Sequence, residues 1–244
     1  LHEQFALYLE KTYPGDLGRF IDVLAYHYSR AANHRQAVQY AILAADDARH
    51  IFANREAIDL YTLAETHLNA LADEDLWETA VHLHLSRGNV LILLGDLATA
   101  FADAEKALNL AQVNDDQGST AVAYNLMAEI RYRQGAIDEV QALTQNILNN
   151  EDKNLDDDQL ARAYIWAGWA AGSKLDYSAG LEYLQKARDI SARANNNYRL
   201  ALALEAISFL YYGQRNLENA LEAMQKSVDL SRNFSTPVNI GFAQ

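Results

Sequence analysis

Apolar residues along this chain recur three and four positions apart, the spacing of one face of an α-helix, in one stretch after another. Read together with the breaking residues, the pattern predicts twelve helices. A short one over 2–12 stops at Tyr13-Pro14-Gly15-Asp16. The others fall at 17–31, 35–51, 54–71, 75–94, 97–113, 117–134, 137–149, 156–173, 177–194, 197–213 and 217–232. Connections of two to six residues make successive helices antiparallel neighbours. The longest break, Asn149 to Leu155, is polar and charged and is expected to be a mobile loop.

A second period lies above the helical one. Ala100, Val140, Gly180 and Ala220 mark corresponding points, and 140−100, 180−140 and 220−180 each give 40. Around them recur Gly88…Gly95-Asp96…Ala100…Ala107, then Ala128…Gly135…Val140, then Gly168…Asp176-Tyr177…Gly180…Ala187, then Ser208…Asn216-Leu217…Ala220. Small residues stand where two helices must approach closely, and a Gly, Asp or Asn turn separates the helices of each unit. Fidelity falls before residue 75: Ala37 and Ala44 fit, but the next match, Ala57…Tyr61…Ala64, comes only 20 residues on. The expectation is an all-α, right-handed superhelical solenoid of antiparallel hairpins with 40-residue repeats. Its parts would be an N-terminal helix over 1–16, irregular repeat helices over 17–74, four regular repeats over 75–234, and the start of a further helix over 235–244.

Composition supports this picture and narrows the function. Hydrophobic residues are 50% of the chain, and only 2 prolines and 11 glycines interrupt it. The absence of cysteine excludes disulfides and thiolate metal sites and points to a reducing, cytoplasmic home. No apolar run reaches the ~18–20 residues needed to span a bilayer, so no membrane partner is expected. A formal charge of −13 argues against nucleic acid. Part of that charge sits in Asp73-Glu74-Asp75 and Asp156-Asp157-Asp158, read as solvated helix starts rather than calcium loops.

Catalytic signatures are missing. There is no GxxxxGK[ST] loop, no GxGxxG after a strand and no GxSxG elbow, so residues 1–244 are expected to act as no enzyme, bind no ATP and carry no cofactor. Of the seven histidines, His2 lacks a second His at the zincin spacing, and His82 and His84 point about 200° apart on a helix, so no metal site is expected. His27 and His34 bracket a turn and read as packing and capping residues.

The unit of a small residue, a large one three later, a Gly-Asp turn and then spaced alanines, carried by Gly88, Leu91, Gly95-Asp96, Ala100, Ala104 and Ala107, resembles the tetratricopeptide repeat (TPR) in a long-helix form. The resemblance implies that the first helix of each unit lines a groove. Matching each unit to it places His82, Leu85, Asn89 and Ile92 inward, then Val122, Asn125, Glu129, Tyr132 and Arg133, then Arg162, Ile165 and Trp169, and finally Leu202, Glu205, Phe209 and Tyr212. Aromatics, amides and arginines of this kind anchor protein or peptide ligands. Replacing Arg133 and Arg162 together by Ala is expected to weaken partner binding and leave the helical fold intact.

Residues 7–64 carry a second likeness. Leu7-Tyr8-Leu9-Glu10, Tyr13-Pro14, Leu24-Ala25-Tyr26-His27-Tyr28, Gln36-Ala37-Val38-Gln39-Tyr40 and Ala53-Asn54-Arg55-Glu56-Ala57 resemble the junction that follows the ATPase module of STAND-type signal-transduction ATPases and adenylate-cyclase-like regulators. This implies a sensor segment restraining a nucleotide switch. A freestanding adaptor and a helical repeat sensing a small molecule are the alternatives. With Leu at position 1 and a helix-start signal at Ser235-Thr236-Pro237, the reading expects an excised piece. A face of Leu221, Val228 and Leu230 would then favour self-association.

Overall fold

The computed structural model describes residues 1–71, 76–149 and 155–232. The expectations for Asp73-Glu74-Asp75, for most of the 149–155 loop and for Ser235-Thr236-Pro237 lie outside the described residues. Within them the chain is an all-α helical repeat with no strand. It falls into two compact units, Leu1–Asp115 and Asp116–Gln244.

In the first unit α1 is His2–Thr12, α2 Ile21–Arg30, α3 His34–His50, α4 Asn54–Asn69, α5 Trp77–Leu94 and α6 Leu97–Val113. A short 3-10 turn, Leu17–Phe20, precedes α2, so the single helix expected over 17–31 starts with a tighter turn. In the second unit α7 is Gln117–Arg133, α8 Ile137–Leu148, α9 Asp157–Ser173, α10 Tyr177–Arg193, α11 Asn197–Gly213 and α12 Leu217–Ser231.

The turns explain the regularity. Asp96, Asp116, Asp176, Asn196 and Asn216 each accept a hydrogen bond from the backbone N–H three residues on, capping α6, α7, α10, α11 and α12. Before each cap stands a left-handed residue: Gly95, Asp115, Leu175, Asn195 and Arg215. Capping N–H groups reach back five residues, as from Asp96 to the Leu91 carbonyl at 3.0 Å and from Asn216 to that of Tyr211 at 2.9 Å. One helix plus its turn thus takes 20 residues, and two make the 40-residue unit. The same spacing accounts for the irregular start. Ala37 and Ala57 lie one helix apart, and α3 packs against both α2 and α4.

Leu175 holds φ +65° while 72% exposed, so it pays left-handed strain with little burial in return. Replacing it by Asn, which tolerates that conformation, should raise stability by up to about 1 kcal/mol. Gly95→Ala, at φ +82°, should lower it by about 1 kcal/mol. Thermal melting checks both, and a lower midpoint for Leu175→Asn would contradict the strain assignment.

The 40-residue markers are core. Ala100 and Val140 are fully enclosed, Gly180 and Ala220 buried, and Ala128 and Val140 pack together with Ala170. On α12, Leu221 is exposed and Val228 and Leu230 are half-buried. No helix among the described residues is long and apolar enough to cross a membrane.

Candidate functional site

The second unit gathers most of the groove residues. Its hairpins are α7–α8, α9–α10 and α11–α12, and the first helices touch in order, α7 on α9 and α9 on α11. Residues 40 apart therefore stand side by side across those three helices.

Glu129, Trp169 and Phe209 form one such line. Trp169 and Phe209 lie 5.5 Å apart between ring centroids, and Tyr132 lies 6.1 Å from Trp169 and 5.5 Å from Trp166. The result is an aromatic row running α7–α9–α11. Phe209 is 49% exposed and Tyr212 67%. Exposure of large aromatics on repeated elements is a mark of interaction surfaces.

Charged groups flank the row. The Glu129 carboxylate accepts from Arg133 at 3.0 Å through one oxygen and from Arg162 at 2.9 Å through the other. Arg133 is exposed. Arg162 is not: it is largely enclosed, and burial pushes its guanidinium below the ordinary value despite Glu129. Removing it would leave Glu129 short of a partner, so Arg162→Ala costs stability, contrary to the expectation from sequence. On the same helix Asp158 takes a two-pronged contact from Arg199, 2.7 and 3.0 Å, and one from Asn196 at 2.8 Å. Burial opposes ionisation of Asp158, but these bonds prevail and hold its carboxyl below the usual range. Asp156 caps α9, so part of this acidic patch is a helix start and part is an internal tie.

Asn125 departs further from its expected role. Its side chain is fully buried and its amide donates to the Gln159 carbonyl at 2.9 Å, binding α7 to the start of α9. It braces the face from beneath rather than presenting a contact. Glu205, half-buried on α11, completes the group of residues brought together here.

His82 and Asn89 belong to the first unit. His82 Nε2 lies 2.9 Å from Asp46 Oδ2, and Asn89 donates back to the Leu85 carbonyl of its own helix at 2.8 Å. The same unit holds a buried charge network that sequence reasoning missed. Arg87 donates from Nε and Nη2 to both oxygens of Asp103, at 2.7 and 2.8 Å, and from Nη1 to Glu65 at 2.7 Å. His84 Nδ1 sits 3.0 Å from Asp103, and Lys106 binds Glu65 at 2.8 Å. Glu65, His84 and Asp103 bring potential metal-ligand atoms within 4.8 Å of one another. A guanidinium bonded to both carboxylates already supplies the positive charge a cation would bring. The sequence did carry a signal: Arg87 and Asp103 stand directly beside the packing positions Gly88 and Ala104. His27 and His34 also differ from expectation. Asn33, not His34, caps α3, and the two histidines pair with ring nitrogens of His2 and His67 at 3.0 and 2.8 Å.

No known family's model matches the chain, and no curated protein matches it in sequence. Solved structures do. A Rap protein complexed with Competence and Sporulation Factor superposes with a TM-score of 0.73 at 16% identity, over 85% of this chain and 57% of that one. The apo form of RapI gives 0.70 at 15% identity, over 80% and 70%. A kinesin-light-chain-type protein of Podosopora anserina with nearly identical TPR-like repeats gives 0.61 at 13%, over 80% and 94%. The fold is of the tetratricopeptide-repeat type. The chain spans little more than half the length of that Rap protein.

Proposed function

We propose that the protein is a non-enzymatic scaffold whose second unit binds an extended peptide or protein segment on the face made by α7, α9 and α11. The observation that carries the reading is the partly exposed row Tyr132–Trp169–Phe209, set beside the Arg133–Glu129–Arg162 ties. Aromatic anchors contribute area at low entropic cost, and charged rims fix register. The Rap protein's complex with its factor is a precedent for a bound partner on this type of frame. The charge of −13 weighs against nucleic acid.

The likeness of residues 7–64 to the STAND junction supports a finer reading. The chain would be the sensor segment of a larger signalling ATPase, with nucleotide binding outside residues 1–244. An upstream phosphate-binding loop in the full reading frame would support this, and a frame without one would favour an adaptor.

Panning a random heptapeptide display library on the 244-residue protein tests the binding face. Hydrogen–deuterium exchange with an enriched peptide should show protection on α7, α9 and α11. Protection confined to other helices, or no enrichment at all, would overturn the reading.

A further inference from the structure

One carboxylate on this face is left without a counter-charge. The helices α7, α9 and α11 carry four acidic side chains: Glu129, Asp157, Asp158 and Glu205. Glu129 meets Arg133 and Arg162, Asp157 meets Arg193 at 3.5 Å, and Asp158 meets Arg199 at 2.7 Å. Glu205 makes no ion pair or hydrogen bond among the described residues. It is half-buried and stands one turn before Phe209, whose ring packs on Trp169. A half-buried carboxylate normally finds a cationic or N–H partner, because burial without one penalises its charged form. Here burial alone raises the Glu205 carboxyl above its ordinary value, with no basic group pulling it back.

We propose that Glu205 and the Trp169–Phe209 rings form a subsite for a cationic side chain, lysine or arginine, of the bound peptide. This rests on the binding face proposed above and adds the ligand's chemistry to it. The carboxylate supplies the counter-charge, and the ring faces supply cation–π attraction and cover the aliphatic stem. The neighbouring arginines are already engaged by Glu129 and Asp158, so they do not compete for the site. The acidic balance of the chain draws such a ligand in from a distance.

Peptides enriched from the heptapeptide library are synthesised with an acetylated N-terminus and a C-terminal fluorophore, and their affinity is read by anisotropy. The enriched set should carry Lys or Arg at one fixed position beside apolar residues. Replacing that residue by norleucine should weaken binding to the wild-type protein at least tenfold, and binding to Glu205→Gln less than twofold. Glu205→Gln should melt no lower than wild type, since it removes an uncompensated charge. An equal loss on both proteins, or enriched peptides without a cation, overturns the subsite while the face stands. Loss of binding on acetylation with the side chain dispensable reassigns the cation to a terminal ammonium and overturns the side-chain proposal. If no peptide is enriched, the face itself falls and the subsite with it.

Discussion

Replacing Arg87 by Met should be among the most damaging single changes in the first unit, lowering its stability by about 3–5 kcal/mol. Arg87 and Asp103 are only 6% and 2% exposed, so water does not replace the lost guanidinium. Among the described residues, Asp103 would keep only His84, and Glu65 only Lys106. Taking Asp103 to Leu in the same protein should restore much of the loss, because a buried pair exchanged for apolar groups is often neutral whereas a broken pair is not. Acid acts on the same network. Burial would raise the Asp103 and Glu65 carboxyls, but the Arg87 bonds win and hold both below their ordinary values. Their folded pKa values therefore lie below the unfolded ones, so their contribution is complete at neutral pH. It is lost as pH falls below about 4, where the unfolded chain takes up protons first. Urea melts of wild type, Arg87→Met and the double variant at pH 7 and about pH 3 measure these differences. A loss below about 1 kcal/mol for Arg87→Met would show that the network is no net support.

What was legible in the sequence was what local chemistry decides. Helix ends fall within two or three residues of expectation, because Asp and Asn caps and left-handed turn residues act within a few positions of themselves. The exception is Leu17–Phe20, where no cap or breaker separates the 3-10 turn from α2. The aromatic row was legible through phase: once Trp169 is placed, Phe209 follows 40 residues later on the adjacent first helix. Asn125 and Arg162 were misjudged for a shared reason. Their burial depends on groups 33 or 34 residues away, Gln159 and Glu129, which a single helix does not reveal. The Arg87–Asp103–Glu65 network likewise joins three helices, so the nearness of Arg87 and Asp103 to packing positions does not by itself reveal their pairing.

The face also shows how repeat phase and ligand chemistry divide the labour. At corresponding positions, Asn125 braces, Ile165 packs and Glu205 stands half-buried and unpaired among the described residues. Glu129, Trp169 and Phe209 pass from a tied carboxylate to a bare ring. Backbone geometry repeats while side-chain chemistry does not, so one frame can carry a graded surface along its stacked helices.

Gly168→Val should lower the stability of the second unit by about 2–3 kcal/mol through overpacking. A Cβ on Gly168 would lie 2.5 Å from Leu184 Cγ and 3.2 Å from the Gly180 carbonyl oxygen. Leu184 is fully enclosed, and Cγ is not the free end of its side chain, so relief requires the whole residue or the helix to move. Valine adds two methyl groups to that collision and recovers only part of the helix propensity that glycine forgoes, about 0.5 kcal/mol. At Gly168 and Gly180 the backbones of α9 and α10 approach closely, and α9 is also the helix that carries Arg162 and Trp169. Prying the hairpin apart should therefore weaken peptide binding as well as stability. Gly118→Ala, where the nearest contact is an Asp116 oxygen at 3.3 Å, is the mild comparison on α7. Chemical denaturation followed by helical ellipticity reads the effect. If Gly168→Val unfolds no earlier than Gly118→Ala, the close approach of α9 and α10 is not what glycine secures at this position.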